Sequence, residues 1–508
     1  MHRTGRSIIN FATGVGLQVI ILGVGFISTP LLLSWLGNDR YGAFRAAGDW
    51  GNYLNLLELG IGGSLMSLLA SSLGVGDSQQ IRWTLAVGIR AYLKITLIIG
   101  LASFCLGCFI THLVPVKSSL RGELQTGYWI GYVSVFLIPL TPFRLLADAS
   151  QRGYFTNIFS LFQNLMITGV SLTLAKMGFG IPGPSLAGLL GNISFQLVMS
   201  WDGVRRYPDI FRDLKYVTAQ KPIETRLWQL NWSTLALNLS SQLGFYTDNI
   251  IISSSLSPAT VVPFLVTQRL TALGQWQIQS IGNATWAALA DLHAKGEVEK
   301  FNTRLIELTQ LVSVIGLASL TTIAAYNHHF ISLWVSSDRF GGDGLTLLAA
   351  ANSFMMGLLS LWGWCFTATG TQPKLVVPTT LAATINFLAS ITCTHFFGIV
   401  GPLMGTFISF TTISIWKLPL LLHEIFGTST KKLFWVIIKP LMVAIPYGSF
   451  IWWIAKIHPP WGWLGLATEM GLSTIIYLIV AWLLVLNISE RSLWQGRLKI
   501  IFATFRRV

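Results

Sequence analysis

The sequence predicts an all-helical integral membrane protein of about fourteen transmembrane helices: two pseudo-symmetric six-helix lobes, then two more helices. Three observations carry this reading. Charged residues are only 11% of the 508, and hydrophobic residues are 52%, where a soluble chain carries about 25% charged. The mean hydropathy is +0.61. The apolar residues come in runs of about 20, the length that crosses a hydrocarbon core of about 30 Å. Backbone polar groups in lipid must be bonded internally, so such runs are helices. The alternating segments of about ten residues expected of a transmembrane barrel are not seen.

The runs place helices at 10–36, 48–74, 83–111, 128–148, 155–177, 184–201, 228–256, 260–290, 305–327, 345–368, 375–397, 399–422, 435–456 and 464–486. The second, third and eighth exceed what one crossing needs and are expected to tilt or protrude. The short basic start, Met1 to Arg6, leads into an apolar stretch too long for a signal-peptide core and without a small-residue cleavage site, so it reads as a retained first helix.

Orientation follows from the basic residues. With the N-terminus cytoplasmic, inner connections and tails hold 22 of the 34 Lys and Arg, outer connections hold 7, and 5 fall within helices. This bias places both termini inside, which requires an even helix count. It also accounts for the formal charge of +14 without nucleic acid, because these residues face an anionic leaflet.

The longest connection, Asp202 to Leu227, is basic, contains Pro208 and Pro222, and follows six helices. The expected organisation is an N-terminal lobe at 1–204, a basic cytoplasmic linker at 205–227, a second lobe at 228–424, and two added helices with a basic tail at 425–508. A shift of 220 residues brings Leu36 onto Leu256 and Phe44 onto Phe264. Six helices per repeat preserve orientation, so the lobes would be related by an axis along the membrane normal.

Ionisable groups inside spans cost roughly 2.5–3.5 kcal/mol each on insertion scales, so each needs a reason. Arg90 and Lys94 are four apart on one face of the third helix. Lys94 lies about 17 Å from the helix start, near mid-membrane. The pair can line a cationic cavity for an anionic group such as pyrophosphate, or snorkel toward the cytoplasm. Asp248 and Arg269 flank the turn near Ser257-Pro258 at similar depth. They can pair to fix a hairpin, or open as substrate or a coupling ion binds, and Arg269 can also face a cavity. Glu58, beside Gly60, Gly62 and Gly63, reads as a proton or cation coupling site, as the cap of an unwound segment, or as the partner of a cation elsewhere. Arg144, Asp148 and Arg152 share one face near an inner helix end and read as interfacial ion pairing; Lys417 snorkels.

Other features are bland. Cys105 and Cys108 lie in an apolar helix without a second pair, so packing explains them better than redox or metal chemistry. His328-His329 has no further ligands nearby in sequence, and no metal is expected. Asn231-Trp-Ser and Asn238-Leu-Ser fall in an expected helix and carry no glycosylation meaning. Prolines within or at the edges of spans, with 48 glycines, permit motion but are common in membrane helices.

The segment Thr29-Pro-Leu-Leu-Leu-Ser-Trp-Leu-Gly-Asn-Asp-Arg-Tyr-Gly, followed by Asn55-Leu-Leu-Glu-Leu-Gly-Ile-Gly, resembles the oligosaccharide flippases of the MOP superfamily, the Wzx-like polysaccharide transporters. Thr247-Asp-Asn-Ile-Ile-Ile, Gln268-Arg-Leu and Phe330-Ile-Ser-Leu-Trp-Val extend the resemblance over residues 8–425. Ser257-Pro258 stands where the family often has Gly after its seventh helix. The resemblance implies a transporter in the bacterial plasma membrane that flips a polyprenyl-pyrophosphate-linked oligosaccharide from the inner to the outer leaflet by alternating access. The product would serve surface polysaccharide such as the O-antigen of lipopolysaccharide. It implies no enzymatic activity and no cofactor beyond H+ or Na+ coupling. The expected partners are the lipid-linked oligosaccharide and membrane lipids, then a polysaccharide polymerase and glycosyltransferases, with the chain acting as a monomer. Its cavity arginines do not map onto Arg90 or Arg269 by motif; depth and charge alone select those residues, with Lys94, for the substrate, and Glu58 and Asp248 for coupling or gating.

Two relatives of this reading stay open: a cation-coupled drug antiporter of the MATE branch, which would need an acidic cavity, and a lipid II flippase, which differs in the glycan. A membrane-bound glycan polymerase or glycosyltransferase would need a large extramembrane loop with acidic or metal-binding residues, and no connection has that size.

Overall fold

The computed structural model describes residues 3–58, 60–76, 78–208, 247–488, 490–492 and 494–496. Most of the basic linker, the seventh expected helix before Thr247 with Asn231 and Asn238, and the tail from 497 lie outside the described residues. The described residues form helices and turns with no strand, as expected of a chain that satisfies its backbone internally. Thirteen of the fourteen expected stretches fall on described helix, and the seventh does so from Thr247 onward. Nine helical segments among the described residues are long and apolar enough to cross a membrane. Two of these, Ala12–Leu54 and Gln372–Phe426, run to 43 and 55 residues, more than a single crossing requires.

The chain divides into two compact units, Met1–Val262 and Pro263–Val508. The first unit begins with α1 (Arg3–Leu54), which bends at Gly37, where φ is 73° and ψ 170°. Glycine reaches such a backbone without a Cβ clash, so the break falls directly after the first expected helix, and the helix that resumes runs on into the start of the second. The second expected helix is not continuous. A 3-10 turn at Asn55–Glu58 and a left-handed Gly60 interrupt it before α2 (Ile61–Val75). The unit continues through α3 (Ser78–Leu113), α4 (Arg121–Tyr132), a 3-10 stretch at Val133–Leu140 holding Pro139, and α5 (Thr141–Ala149). It is completed by α6 (Gly153–Lys176), α7 (Pro182–Arg206) and α8 (Thr247–Ser255). Ile61, Leu65, Leu69, Leu85, Tyr92 and Ile95 form its buried centre, while Leu97, Leu101 and Phe109 on α3 stay exposed. A chain solvated by lipid keeps such an outward apolar face. Cys105 and Cys108 are exposed on α3, a correction to the expected packing role: a helix facing hydrocarbon has no packing demand there.

The second unit opens within α9 (Val261–Thr267) and contains α10 (Arg269–Ala294), α11 (Val298–Trp334), α12 (Asp343–Ala368) and α13 (Val376–Phe397). After a 3-10 turn at Gly398–Val400 come α14 (Gly401–Ser409), a π turn at Phe410–Ser414, and α15 (Ile415–Phe426). Helices α16 (Thr430–Ile457) and α17 (Gly462–Leu484) finish it, both packed on α11. Gly401 and Gly405, four apart, bring α14 onto the backbone of Thr394 and Ser390 in α13, so that a Cβ at either position would overlap it. This is the small-residue contact by which membrane helices approach without a hydrophobic driving force.

Candidate functional site

The C-terminal half of α1 presents two chemically different faces. Arg45, Asp49 and Tyr53 recur every four residues on one, and Phe44, Gly48, Gly51 and Asn52 lie on the other.

The first face meets α8. Asp49 is 4% exposed and accepts a hydrogen bond of 2.6 Å from Asn249 Nδ2 and a longer one of 3.5 Å from Asn52 Nδ2. Tyr53 and Thr247 share a hydroxyl–hydroxyl hydrogen bond. Asp248 adds a second carboxylate that senses Asp49 electrostatically. Its Oδ1 is sequestered without a hydrogen-bond partner, as is Asn249 Oδ1. Two carboxylates in one dry place resist being charged together, so this cluster has the chemistry to hold a proton or a small cation. Arg45 supplies partial compensation to Asp49.

Glu58 occupies the break between α1 and α2. The Tyr92 hydroxyl donates to its Oε1, and a Cβ at Gly62 would come within 2.9 Å of the same oxygen. Arg144 lies within electrostatic reach of Tyr92 and pairs with Asp148 at 3.7 Å. The carboxylate therefore stands at an unwound segment, held by a buried phenol from α3.

Arg90 and Lys94 follow on α3, Arg90 half-buried and Lys94 exposed. Leu93, Leu97 and Leu101 share the exposed side of the helix with Lys94, at 48%, 70% and 70% exposure. Arg269 is half-buried at the start of α10. Asp248 belongs to the first unit and Arg269 to the second; their pairing stands as an expectation.

The second face of α1 borders a partly open cavity of about 440 Å³ within the first unit, lined also by α3, α4, the 3-10 stretch and α7. Asn52, Asn192, Tyr128, Tyr132 and the serines Ser103, Ser134 and Ser185 supply its polar groups, and among the described residues no Asp, Glu, Lys, Arg or His lines it. Next to it, Arg40 on α1 grips Glu123 on α4 through two bonds of 2.8 Å, and Glu123 also accepts from the Ile181 N–H at 3.4 Å.

At the corner after α5, Arg152 donates to Asp202 at 2.5 and 3.1 Å, and Arg206 adds a bond of 3.1 Å. Burial pushes the Asp202 carboxyl upward, but the hydrogen bonds from Arg152 and Arg206 outweigh it and hold it below its ordinary value. The expected interfacial trio of Arg144, Asp148 and Arg152 thus splits, with Arg152 turning to α7.

Sequence reasoning passed over Asp49 and Glu469. Both lie in expected helices, at the start of the second and six residues into the last. Glu469 hydrogen-bonds Tyr326 of α11, next to a polar cluster in which the Tyr447 hydroxyl donates to the Ser473 carbonyl at 2.5 Å. A count of every acid inside a span would have found both. Among the described residues no group of three or more His, Cys, Asp or Glu comes together as a metal-binding set.

No known family profile matches the sequence. A Salmonella typhi protein provisionally named an O-antigen transporter is 23% identical over 440 residues, covering 82% of this chain and 96% of the relative. Among solved structures, the lipid II flippase MurJ in an inward closed conformation superposes with a TM-score of 0.70 at 13% identity, over 94% of this chain and 98% of the flippase. An inward-facing multidrug resistance MATE transporter of the MOP superfamily reaches 0.62 at 17% identity, over 81% and 95%. The chain has the fold of these transporters, and the resemblance to MOP-superfamily flippases carried by its motifs is borne out. The matched proteins are transporters and flippases, not enzymes.

Proposed function

We propose that this protein is a bacterial plasma-membrane flippase that carries a polyprenyl-pyrophosphate-linked oligosaccharide from the inner to the outer leaflet, for surface polysaccharide such as O-antigen. The observation that carries the reading is the near end-to-end match to the Salmonella typhi relative. The sugar is too polar to cross lipid and the polyprenyl chain too apolar to leave it, so the transporter passes the headgroup through a protein path and leaves the tail in the bilayer. The basic bias of 22 against 7 supports both termini on the cytoplasmic side.

In this proposal Arg90, Lys94 and Arg269 meet the pyrophosphate during alternating access, and carboxylates of the first unit drive it. Asp49 and Asp248 exchange H+ or Na+, and Glu58 gates the unwound segment between α1 and α2. The likeness to MurJ over 94% of the chain favours a second reading, with lipid II as cargo.

The test is reconstitution in vesicles loaded with a fluorescent polyprenyl-pyrophosphate oligosaccharide or with fluorescent lipid II. Protection of the label from an external quencher, lost with time, reports flipping. The proposal expects the oligosaccharide to cross and the double variant Arg90→Ala/Lys94→Ala to slow it at least tenfold. Transport of lipid II alone selects the second reading, and unchanged transport with both cations removed eliminates the pyrophosphate site.

A further inference from the structure

We infer that the cavity inside the first unit is a subsite for one or two uncharged sugar rings of the cargo; the inference rests on the flippase reading and adds a place for the glycan apart from the cationic site. Its volume of about 440 Å³ lies in the range of small-molecule pockets, about 300–1,000 Å³, and is too small for a long oligosaccharide.

The lining selects the chemistry. A cationic drug needs an acid and a pyrophosphate needs Arg or Lys, and neither type lines the space. An alkyl tail would leave Asn52 and Asn192 facing hydrocarbon, a costly arrangement for an amide. A sugar ring has an apolar C–H face and a rim of neutral hydroxyls. Phe44, Tyr128 and Tyr132 supply aromatic surface for the face. The amides of Asn52 and Asn192 and the hydroxyl of Ser134 supply donors and acceptors for the rim. The hydrogen bonds that Asn192 Nδ2 donates to Ser134 and Asn52 Nδ2 donates to Asp49 are long, 3.5 Å each, and are readily exchanged for bonds to a ligand, while Asn192 Oδ1 already accepts from Gln163 Nε2 at 2.8 Å.

Glycine provides independent support. Gly48, Gly51, Gly131 and Gly188 line the cavity from three helices. A Cβ at any of them would meet nothing within 4 Å, and none has a positive φ. Neither packing nor backbone geometry demands glycine there, yet glycine weakens a helix relative to alanine. The residues keep the space open. Gly127, also in the lining, is different: a Cβ there would press on Ile181 at 2.8 Å. Asn52 further gives the subsite a route to the acid cluster, because a sugar hydroxyl that captures its amide releases Asp49 from that bond.

The experiment uses the full chain in detergent. Saturation-transfer NMR is run with four neutral disaccharides, maltose, lactose, cellobiose and N,N′-diacetylchitobiose, on wild type, Gly188→Leu, Gly51→Ala/Gly131→Ala, and the control Gly169→Ala, whose site is open but outside the cavity. Thermal melting certifies folding of each variant. We expect saturation of at least one disaccharide in wild type and control, at least tenfold weaker in Gly188→Leu and intermediate in the double alanine variant. Absence of saturation in wild type overturns the inference, and so does equal saturation in Gly188→Leu. Displacement of the sugar by tetraphenylphosphonium that disappears on filling the cavity also overturns it, because the pocket would then be a site for apolar cations. These readouts involve no transport, so a failure of the flippase reading appears only in the vesicle assay.

Discussion

Asn249 of α8 reaches Asp49 of α1 with a hydrogen bond of 2.6 Å, so residues 200 positions apart share one buried acceptor. Asp248, the neighbour of Asn249, brings its own carboxylate to the same place. Replacement of Asp49 by Ala strands the Asn249 amide and is expected to cost about 1–3 kcal/mol, read as a lower melting temperature. Asp248→Asn removes the charge conflict while keeping the shape. It is expected to melt no lower than wild type, yet to lose the response of transport to an imposed pH or Na+ gradient. A gradient response equal to wild type would remove these acids from the coupling proposal.

The Tyr92–Glu58 bond gives a second prediction. Tyr92→Phe deletes one hydroxyl at a fully buried position and is expected to cost about 1 kcal/mol with faster hydrogen exchange over 55–62. Gly62→Ala, whose Cβ would crowd Glu58 Oε1, should produce the same exchange signature without removing the bond donor. Unchanged exchange in both variants would show that the unwound segment does not depend on this contact.

The Arg152–Asp202 clamp predicts a pH dependence. The folded carboxyl is held below its ordinary value, so its contribution is complete above about pH 4, the unfolded carboxylate range, and is lost as pH falls through the lower folded value. Wild type and Asp202→Asn should therefore differ most at neutral pH, by roughly 3 kcal/mol if the arginine is left buried alone. The difference should narrow under acid. Limited proteolysis around residues 149–153 against pH measures it; a gap that widens toward low pH contradicts the sign.

Gly405→Leu tests the α13–α14 hairpin. The site admits no Cβ against Ser390, and overpacking of this kind costs about 1–3 kcal/mol or more. Gly51→Ala, by contrast, meets nothing and should leave melting unchanged or raise it by about 0.5–1 kcal/mol equivalent. The opposite signs of two glycine substitutions are the readout.

The helices were legible because hydropathy runs report directly on burial in lipid, and thirteen stretches need only their own residues to be helical. The site was less so. Glu58 and Asp248 stood out as acids within apolar runs. Asp49 did not, because it lies beside Trp50 at the edge of a run; its hydrogen-bond partner Asn249 comes from α8, which a local window does not contain. The cavity was invisible for the same reason: Asn52, Ser134 and Asn192 are unremarkable polar residues until the fold gathers them. The break at Glu58 was signalled by Gly60, Gly62 and Gly63, but an averaged window runs across a four-residue 3-10 turn without noticing it.

The bend at Gly37 leaves α1 with no slack. Two stiff rods meet at one residue, so any tilt of the N-terminal rod must be taken up by a single pair of torsions or be handed on, as by a lever, to the stretch bearing Phe44, Asp49 and Asn52. Any side chain at position 37 would strain the backbone of that elbow, which has a positive φ, and the sugar pocket and the acid cluster would then be disturbed together, from a position that touches neither.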